Sequence, residues 1–502
     1  MNRLLIFALL LLSFASCKTA KKAQVSSMTP DDEALTRQTV DINTIKGHIY
    51  FLASDEMAGR NTPSPELNIA AQYLATSLMR YGVQPLEGYE NYLQPVPMKK
   101  ISPAKKGHFE FSDQKLELVR DFIVLKGTDI ELDAAIVFLG RGTNSDFEKT
   151  DVQGKIVIVT AGLEGQSNPQ EWFFAGQDKH RLAAEKGAAA LIELYASNQL
   201  PWNFLVNYLN QPQTIVDNEK DPSIPHIWLN AGNSEAISLL RKEEMLTGTL
   251  NVSGRKEEVI KTYNVVGMVE GTDPQLKEEY IIYSAHYDHV GYGRSVAGDS
   301  IYNGARDNAV GSVTVLSAAE NLAKHPTKRS AIFIFFTGEE KGLLGSAYYA
   351  DNPAIPLDQV VYCFNSDNGG YNDTSRASII GLTRTGAQSL IERACSTFGL
   401  EAKEDSAPEE GLFDRSDNVN FARKGVPAPT FSLGFTSFDE EINRYYHQPG
   451  DEPATLDYAY LHKFFQSYVY ACRLIANTNQ SLFWNKGDKY YEAGKQLYGI
   501  DP

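Results

Sequence analysis

Acidic and histidine side chains stand directly after three apolar, strand-like runs of the sequence. His286 and Asp288 follow YIIYSA, Glu339 and Glu340 follow AIFIFFTG, and Asp367 follows VVYCFNS. Because ligand-binding residues of parallel sheets gather at the carboxyl ends of the strands, we expect these side chains to lie close together. Imidazole and carboxylate without thiolate are ligands that suit Zn²⁺ or Mn²⁺ in an open hydrolytic site.

Two further candidates lie outside these runs. Asp307 stands in NGARDN directly before a predicted helix, and His447 stands in YYHQPGD after the last strand-like run. Taken singly, an acidic residue before a helix is usually a cap, and a single histidine is usually structural. Together with the first group they offer enough ligands for two metal ions, which need a bridging carboxylate and can hold a water between them.

The elements that must position these residues follow an alternating pattern. From Thr262 onward, apolar runs at 263–269, 280–285, 330–336, 360–365 and 428–433 alternate with helical stretches such as Gly311 to Lys324 and Thr385 to Phe398. Asn68 to Tyr81 also has helical periodicity and ends at Gly82. The pattern predicts an α/β fold with a mostly parallel central sheet flanked by helices.

Length and composition limit the classes of protein that remain. A chain of 502 residues with 42% hydrophobic and 22% charged residues is globular, and it predicts two or three domains. The formal net charge is −16, from 47 Lys and Arg against 63 Asp and Glu. This excess of negative charge argues against nucleic acid as a partner, since nucleic-acid binding requires a basic surface.

The N-terminus has the pattern of an export signal. Arg3 precedes the apolar run Leu4 to Leu12, which is too short to span a bilayer as a helix. Small residues before Cys17 resemble a bacterial lipoprotein signal (1–17), followed by a tether over 18–30. We therefore expect secretion across the inner membrane and a lipid anchor on Cys17, with the chain facing the periplasm or the cell exterior; a simple signal peptide cut nearby is the alternative.

A strand-rich block interrupts the alternating pattern. GKIVIV, AAEKGAAALI and IPHIWL occur in this order, and together they resemble a protease-associated domain. The resemblance places this insertion at 125–255 and divides the rest of the chain into a first part at 31–124 and a second part at 256–502. Such domains carry no catalytic residues. Near the end of the second part, Asn485 to Tyr498 has helical character and predicts a C-terminal surface helix.

Four motifs in order resemble peptidase family M28, the zinc-dependent exopeptidases of the aminopeptidase Y type. They are HYDHVGYG with GDSIYNGARDNAVG, FTGEEKGLLGSAYY, NSD, and YYHQPGDEP, and the likeness extends over most of residues 40–475. The resemblance implies the zinc-exopeptidase fold, two Zn²⁺ per chain and hydrolysis of N-terminal residues from peptides.

The resemblance also assigns metal ligands. It implies that His286, Asp307 and Asp367 hold one zinc, and that Asp307, Glu340 and His447 hold the other. Asp307 would then bridge the two ions.

Roles beside the metals follow from the same likeness. Glu339 would be the general base, taking a proton from a metal-bridging water and passing it to the leaving amine. Asp288 would accept the imidazole proton of His286 and fix its tautomer. His289 matches no role in the family and is expected to be structural.

Two departures from the family leave other functions open. Arg306 replaces an acidic residue next to the bridging ligand, and Asn418 replaces a frequent histidine. Arg306 could receive a substrate carboxylate, as in a carboxypeptidase, or it could face solvent. A glutaminyl cyclase on the same fold and a non-catalytic receptor or scaffold are the remaining alternatives.

Overall fold

The computed structural model describes residues 31–166, 169–197, 200–217, 224–242 and 246–500. The predicted signal segment, the Cys17 anchor and the tether up to residue 30 lie outside these ranges. Strands and helices are numbered below in chain order.

The described residues form two large sheets and a small hairpin. The main sheet contains β1 (Gln84–Pro85), β2 (Leu93–Ser102), β9 (Gln213–Val216), β12 (Lys256–Val269), β13 (Tyr280–His286), β16 (Ser330–Phe336), β17 (Val360–Ser366), β18 (Arg376–Ile380), β19 (Glu401–Glu404) and β20 (Thr430–Leu433). The second sheet contains β3 (Lys106–Phe111), β4 (Gln114–Glu117), β5 (Phe122–Lys126), β6 (Ile130–Phe138), β7 (Ile156–Thr160), β8 (Ala190–Tyr195), β10 (His226–Asn230) and β11 (Leu246–Ser253). The hairpin is β14 (Gly291–Val296) with β15 (Asp299–Tyr302).

The centre of the main sheet is parallel, as the alternating pattern predicts. β20, β17, β13 and β16 run parallel to one another, and every residue of β16 is buried. β12, β2 and β9 on one side and β18 on the other pair in antiparallel fashion. The sheet is therefore mixed, with its continuous apolar strands in the middle, where both faces are covered.

Helices cover both faces of this sheet. The helices are α1 (Asp32–Thr39), α2 (Ile42–Leu52), α3 (Pro65–Tyr81), α4 (Asn144–Lys149), α5 (Pro169–Glu185), α6 (Trp202–Leu209), α7 (Ser234–Leu240), α8 (Gly311–Lys324), α9 (Leu344–Asp351), α10 (Gln388–Thr397), α11 (Asn418–Lys424), α12 (Glu440–Tyr445), α13 (Tyr458–Asn477) and α14 (Tyr491–Tyr498). α3, α8 and α13 pack into the core of one face, and α9, α11 and α14 pack on the other. Along the described part of the chain, no helix combines the length and hydropathy that a membrane span requires.

The second sheet and its helices are called the insertion below, and this sheet contains strands on both sides of the predicted boundary at 125. β3, β4 and β5 precede or straddle residue 125, and β3 pairs with β11 at the far end of the insertion. Alternating strand patterns predict that residues 106–124 are extended, but they do not indicate which sheet these residues join. The last strand of the insertion ends at Ser253, close to the predicted end at 255.

A long ribbon of β2 and β12, with β9 along the outer edge of β2, joins the insertion to the main sheet. β12 pairs with β16 only from Val265 onward, whereas its earlier half pairs with β2 as far as Lys256 opposite Ser102. Because β12 is antiparallel to β16, this half of the ribbon extends beyond the carboxyl end of β16. The insertion is therefore attached on the side of the sheet where the predicted site lies.

Candidate active site

The carboxyl ends of three neighbouring strands bring the first group of predicted ligands together. β13 ends at His286, and Asp367 follows the last residue of β17. The Nε2 atom of His286 lies 3.2 Å from Oδ1 of Asp367 and 3.4 Å from Oδ1 of Asp307. All three side chains are at most partly exposed, so water screens their interaction little.

Asp307 faces two ligand groups with its two oxygens. It lies in a turn directly before α8, at the edge of the strand ends. Its Oδ1 faces His286, while its Oδ2 lies 3.0 Å from Nε2 of His447. Nε2 of His447 is also 3.3 Å from Oε1 of Glu340. One carboxylate thus belongs to both groups, as the bridging role requires.

The arrangement fits metal binding because it gathers several carboxylates around imidazole nitrogens. Nδ1 of His286 donates to the backbone carbonyl of Asp288 (3.2 Å), so its Nε2 atom faces the carboxylates of Asp307 and Asp367. Burial opposes protonation of His286, yet Glu339 and Asp367 hold its pKa well above the usual value. The site strongly attracts positive charge, and imidazole with carboxylate is the donor set of hydrolytic metal centres.

Among the residues that the structure describes, the potential ligand atoms form two clusters. Within each, the atoms lie within 4.8 Å of one another, and the clusters are His286, Asp307 and Asp367, and His289, Asp307, Glu340 and His447. All five predicted ligands are present in these clusters. His289, which was expected to be structural, is an addition.

Glu339 lies beside the predicted ligands. It follows Gly338, whose backbone has φ +69°, and its Oε2 lies 4.0 Å from Nε2 of His286. Burial raises the pKa of Glu339 well above its ordinary value, and the neighbouring carboxylates of Asp367 and Asp417 add to the effect. A carboxyl group with a raised pKa is suited to take up and release a proton during a reaction.

The predicted role of Asp288 needs a correction. Its Oδ1 is 3.7 Å from Nδ1 of His286, which is too long for a hydrogen bond, and its backbone carbonyl accepts the imidazole proton instead. The carboxylate accepts hydrogen bonds from the Glu339 backbone N–H (3.1 Å) and from the Thr62 hydroxyl (2.9 Å). Asp288 therefore fixes the tautomer through its backbone and holds the loop of the base through its side chain.

Arg306 is buried and has no access to a substrate. Its Nη1 donates to Oδ1 of Asp451 (2.9 Å), and its guanidinium stacks 3.7 Å from the ring centre of Tyr445. The Asp451 carboxylate also accepts the backbone N–H groups of Arg306 and Asp307. The pair ties the Asp307 turn to the loop after His447. The idea that Arg306 receives a substrate carboxylate is therefore wrong, and so is the idea that it faces solvent.

A cavity opens beside the ligands. One wall is lined by aliphatic and aromatic side chains from the end of β18 and from the segments around β20 and α12: Ile380, Leu412, Phe435, Phe438, Ile442 and Tyr446. Arg415 and Ser416 also line it. The candidate metal ligands and these apolar side chains therefore line the same cavity.

Sequence reasoning missed two residues of the site. His289 stands one position after the H-x-D motif, and a histidine at a turn gives no sign of where its ring points. Asp417 lies in RSDN directly before α11, where it resembles a helix cap, but it is buried near Glu339 and burial raises its pKa to about 7. Both could have been suspected from the sequence, because each is a histidine or an acidic residue next to a motif of the family.

Comparisons with known proteins agree with this geometry. Residues 264–471, which contain both clusters, match the profile of peptidase family M28. The chain is 26% identical to aminopeptidase YwaD of Bacillus subtilis (strain 168) over 323 residues, or 64% of this chain and 62% of that protein. It is also 26% identical to probable leucine aminopeptidase 2 of Aspergillus oryzae over 240 residues, or 48% of this chain and 42% of that protein. The chain thus spans less than two thirds of the length of either relative.

Solved structures show the same fold. The aminopeptidase from Aneurinibacillus sp. strain AM-1 superposes with a TM-score of 0.51 at 22% identity, covering 90% of this chain and 98% of that one. The α/β architecture with its central sheet is therefore the zinc-exopeptidase fold.

Proposed function

We propose that this chain, which belongs to peptidase family M28, is a dizinc aminopeptidase that releases N-terminal residues from peptides. The observation that carries the proposal is the position of Asp307, whose two oxygens face two separate ligand groups. The relatives named aminopeptidase support cleavage at the N-terminus.

Two zinc ions fit the residues present. His286, Asp307 and Asp367 would hold one ion, and Asp307, Glu340 and His447 would hold the other. When bound, the ions would polarise the scissile carbonyl, acidify the attacking water and stabilise the developing negative charge.

The chain's own groups would move the protons. Glu339 would accept a proton from the attacking water and then donate it to the leaving amine. Its backbone N–H is held by Asp288, so the base is fixed relative to His286. Burial raises the pKa of Glu339 above its ordinary value, which favours its carrying the proton that the leaving amine receives.

The cavity supports a preference for apolar N-terminal residues. The wall formed by Phe435, Phe438 and Ile442 would exclude water from the side chain of the residue being released. We therefore expect Leu, Met or Phe at the N-terminus to be cleaved faster than Asp or Lys.

A panel of aminoacyl-nitroanilides tests the proposal. Leucyl and phenylalanyl substrates should be hydrolysed, N-acetylated leucyl substrate should not, and 1,10-phenanthroline should stop the reaction until zinc is restored.

A folded, zinc-loaded chain that releases nothing from the panel would contradict the peptidase. Cyclisation of N-terminal glutamine without hydrolysis would favour a glutaminyl cyclase, an alternative that two ligand groups sharing Asp307 do not favour. Rapid cleavage of a single aspartyl or lysyl substrate would contradict only the apolar pocket.

We also propose that the chain is exported and anchored by lipid on Cys17. The apolar run and the small residues before Cys17 support this. Expression with labelled palmitate should label the chain, and Cys17→Ser should abolish labelling while Ser13→Ala should not. Equal labelling of Cys17→Ser and the unaltered chain would contradict the anchor.

A further inference from the structure

His289 lies within the second ligand group, although its neighbours in sequence suggest only a turn. Its Nδ1 atom is 2.8 Å from Oε1 of Glu340 and 4.0 Å from Oδ2 of Asp307. Its ring is fully buried and lies edge-on to the ring of His447, with 5.4 Å between centres. A ring in this position affects the carboxylate that holds the second metal.

The surrounding backbone fixes the ring in this place. The backbone N–H of His289 donates to the carbonyl of Arg60 (3.2 Å). Gly304, which has φ +63°, packs against the ring so closely that a Cβ atom there would lie 2.6 Å from a ring carbon. The space for the imidazole therefore depends on a glycine in the loop that leads to Asp307, which ties the ring to both sides of the site.

The contacts of the two ring nitrogens distinguish a donor from a metal ligand. Nε2 of His289 is buried and has no hydrogen-bond partner. If Nδ1 bound the metal, Nε2 would carry the proton and leave a buried N–H unsatisfied, whereas metal-bound histidines nearly always donate their other N–H. If Nδ1 carries the proton, it donates to Glu340 and only a lone pair remains unpartnered, which is the less costly arrangement.

We propose that His289 is a positioning residue for the second metal: its Nδ1–H holds the Glu340 carboxylate in the orientation in which Glu340 and His447 together bind zinc. This rests on the dizinc centre proposed above. Oε1 of Glu340 lies 2.8 Å from Nδ1 of His289 and 3.3 Å from Nε2 of His447, so it contacts both rings. Removing the donor frees the carboxylate to rotate, and loss of such a partner lowers metal affinity by about 10- to 100-fold.

The test compares two substitutions at one position by zinc binding. In His289→Asn the amide nitrogen can take the place of Nδ1 and keep the donor, whereas His289→Leu has similar bulk and no donor. His48→Leu is the matched control, since His48 is also buried but bonds to the hydroxyls of Tyr73 and Tyr81. Zinc content after dialysis and calorimetric titration of the metal-free full chain would be measured, with circular dichroism as the check on folding.

The expected result is specific to one ion. His289→Leu should bind one zinc as the unaltered chain does and the other about 10- to 100-fold more weakly, while His289→Asn and His48→Leu keep both within a few-fold. Unchanged binding of both ions by His289→Leu would overturn the proposal, and so would equal losses in His289→Asn and His289→Leu, which would make the imidazole itself a ligand. If His289→Leu does not fold, His289→Ala carries the same comparison. An unaltered chain that binds no second zinc would contradict the dizinc centre rather than the role of His289.

Discussion

Two buried clusters of charged groups in this molecule are built on opposite principles. In the insertion, Glu193 is fully buried and accepts hydrogen bonds from Lys179 (3.0 Å), His226 (2.9 Å) and Trp228 (3.0 Å). The remaining N–H groups of the Lys179 ammonium reach the backbone carbonyls of Thr160 and Gly162. This cluster contains its own cation and satisfies its donors internally.

The cluster at the strand ends is not compensated in this way. Its carboxylates face one another and three imidazoles. Two buried cations lie close to it: Arg60 directs its hydrogen bonds to the backbone carbonyls of Leu52, Tyr287, Asn303 and Gly304, and Arg306 pairs with Asp451. Neither donates to a carboxylate of the two ligand clusters. The difference separates a structural ion cluster, complete within the fold, from a site whose negative charge is available to metal ions.

The largest expected effect comes from a substitution in the cluster at the strand ends. Glu339→Gln should lower kcat by about 100- to 10,000-fold, because the base is lost while the ligands remain. Zinc content, measured by mass spectrometry, should stay at the unaltered value. Glu340→Gln, its neighbour, should instead lose zinc. Loss of zinc from Glu339→Gln would mean that the two adjacent glutamates have exchanged roles.

Metal removal should affect the cluster at the strand ends and leave the Glu193 cluster unchanged. Chelation should abolish hydrolysis and lower the melting temperature, since each ion at 1,000 times its Kd contributes about 4 kcal/mol to the free energy of unfolding. Trp172, Trp202 and Trp228 lie in the insertion, whereas Trp484 lies in the core of the main body, so in a Trp484→Phe background the tryptophan fluorescence below the transition should not change. A change in that fluorescence on chelation would show that the clusters are not independent.

A substitution in the Glu193 cluster should lower stability without affecting zinc binding or activity. Lys179→Met leaves Glu193 buried without its cation and should lower the free energy of unfolding by about 3–5 kcal/mol. Zinc content and kcat per folded molecule on a leucyl substrate should not change. Denaturant unfolding and single-substrate kinetics measure both. Loss of zinc from this variant would contradict the independence of the two clusters.

A buried histidine outside both clusters gives the smallest effect. Burial lowers the pKa of His48 to about 4, helped by the nearby Arg80. Because this folded-state pKa lies below the unfolded value of about 6.5, its contribution to stability is complete above that pH and is lost as the pH falls toward 4. Going from pH 7 to pH 5 should cost about 2 kcal/mol. His48→Leu should remove this part of the pH dependence, as unfolding curves at both pH values would show; an identical dependence in the variant would contradict it.

The sequence predicts part of the arrangement of the two ligand clusters from strand ends. His286, Asp367 and Glu340 stand at or just after the ends of neighbouring parallel strands, and α8 begins at Gly311 and ends at Lys324 as its periodicity predicts. α14 begins at Tyr491 rather than near Asn485, because Asn485 and Asp488 bond to the Thr383–Arg384 segment instead of starting a helix. Ring direction at His289 and the burial of Arg306 depend on contacts distant in sequence, which local patterns do not contain.

The chain enters and leaves the insertion through the ribbon of β2 and β12. Ser102 and Lys256 lie opposite each other in the ladder, so the chain leaves and re-enters the main body at nearly one point. A short turn joining these two residues would close the ribbon as a hairpin. Such a deletion would expose the edge of β2 that β9 now covers, and it would remove the contacts of β9 with the Glu339–Lys341 turn and with α9. The insertion therefore contacts the main body through the ribbon and through β9, and a polar substitution along β2 would be needed to keep the exposed edge from pairing with other chains.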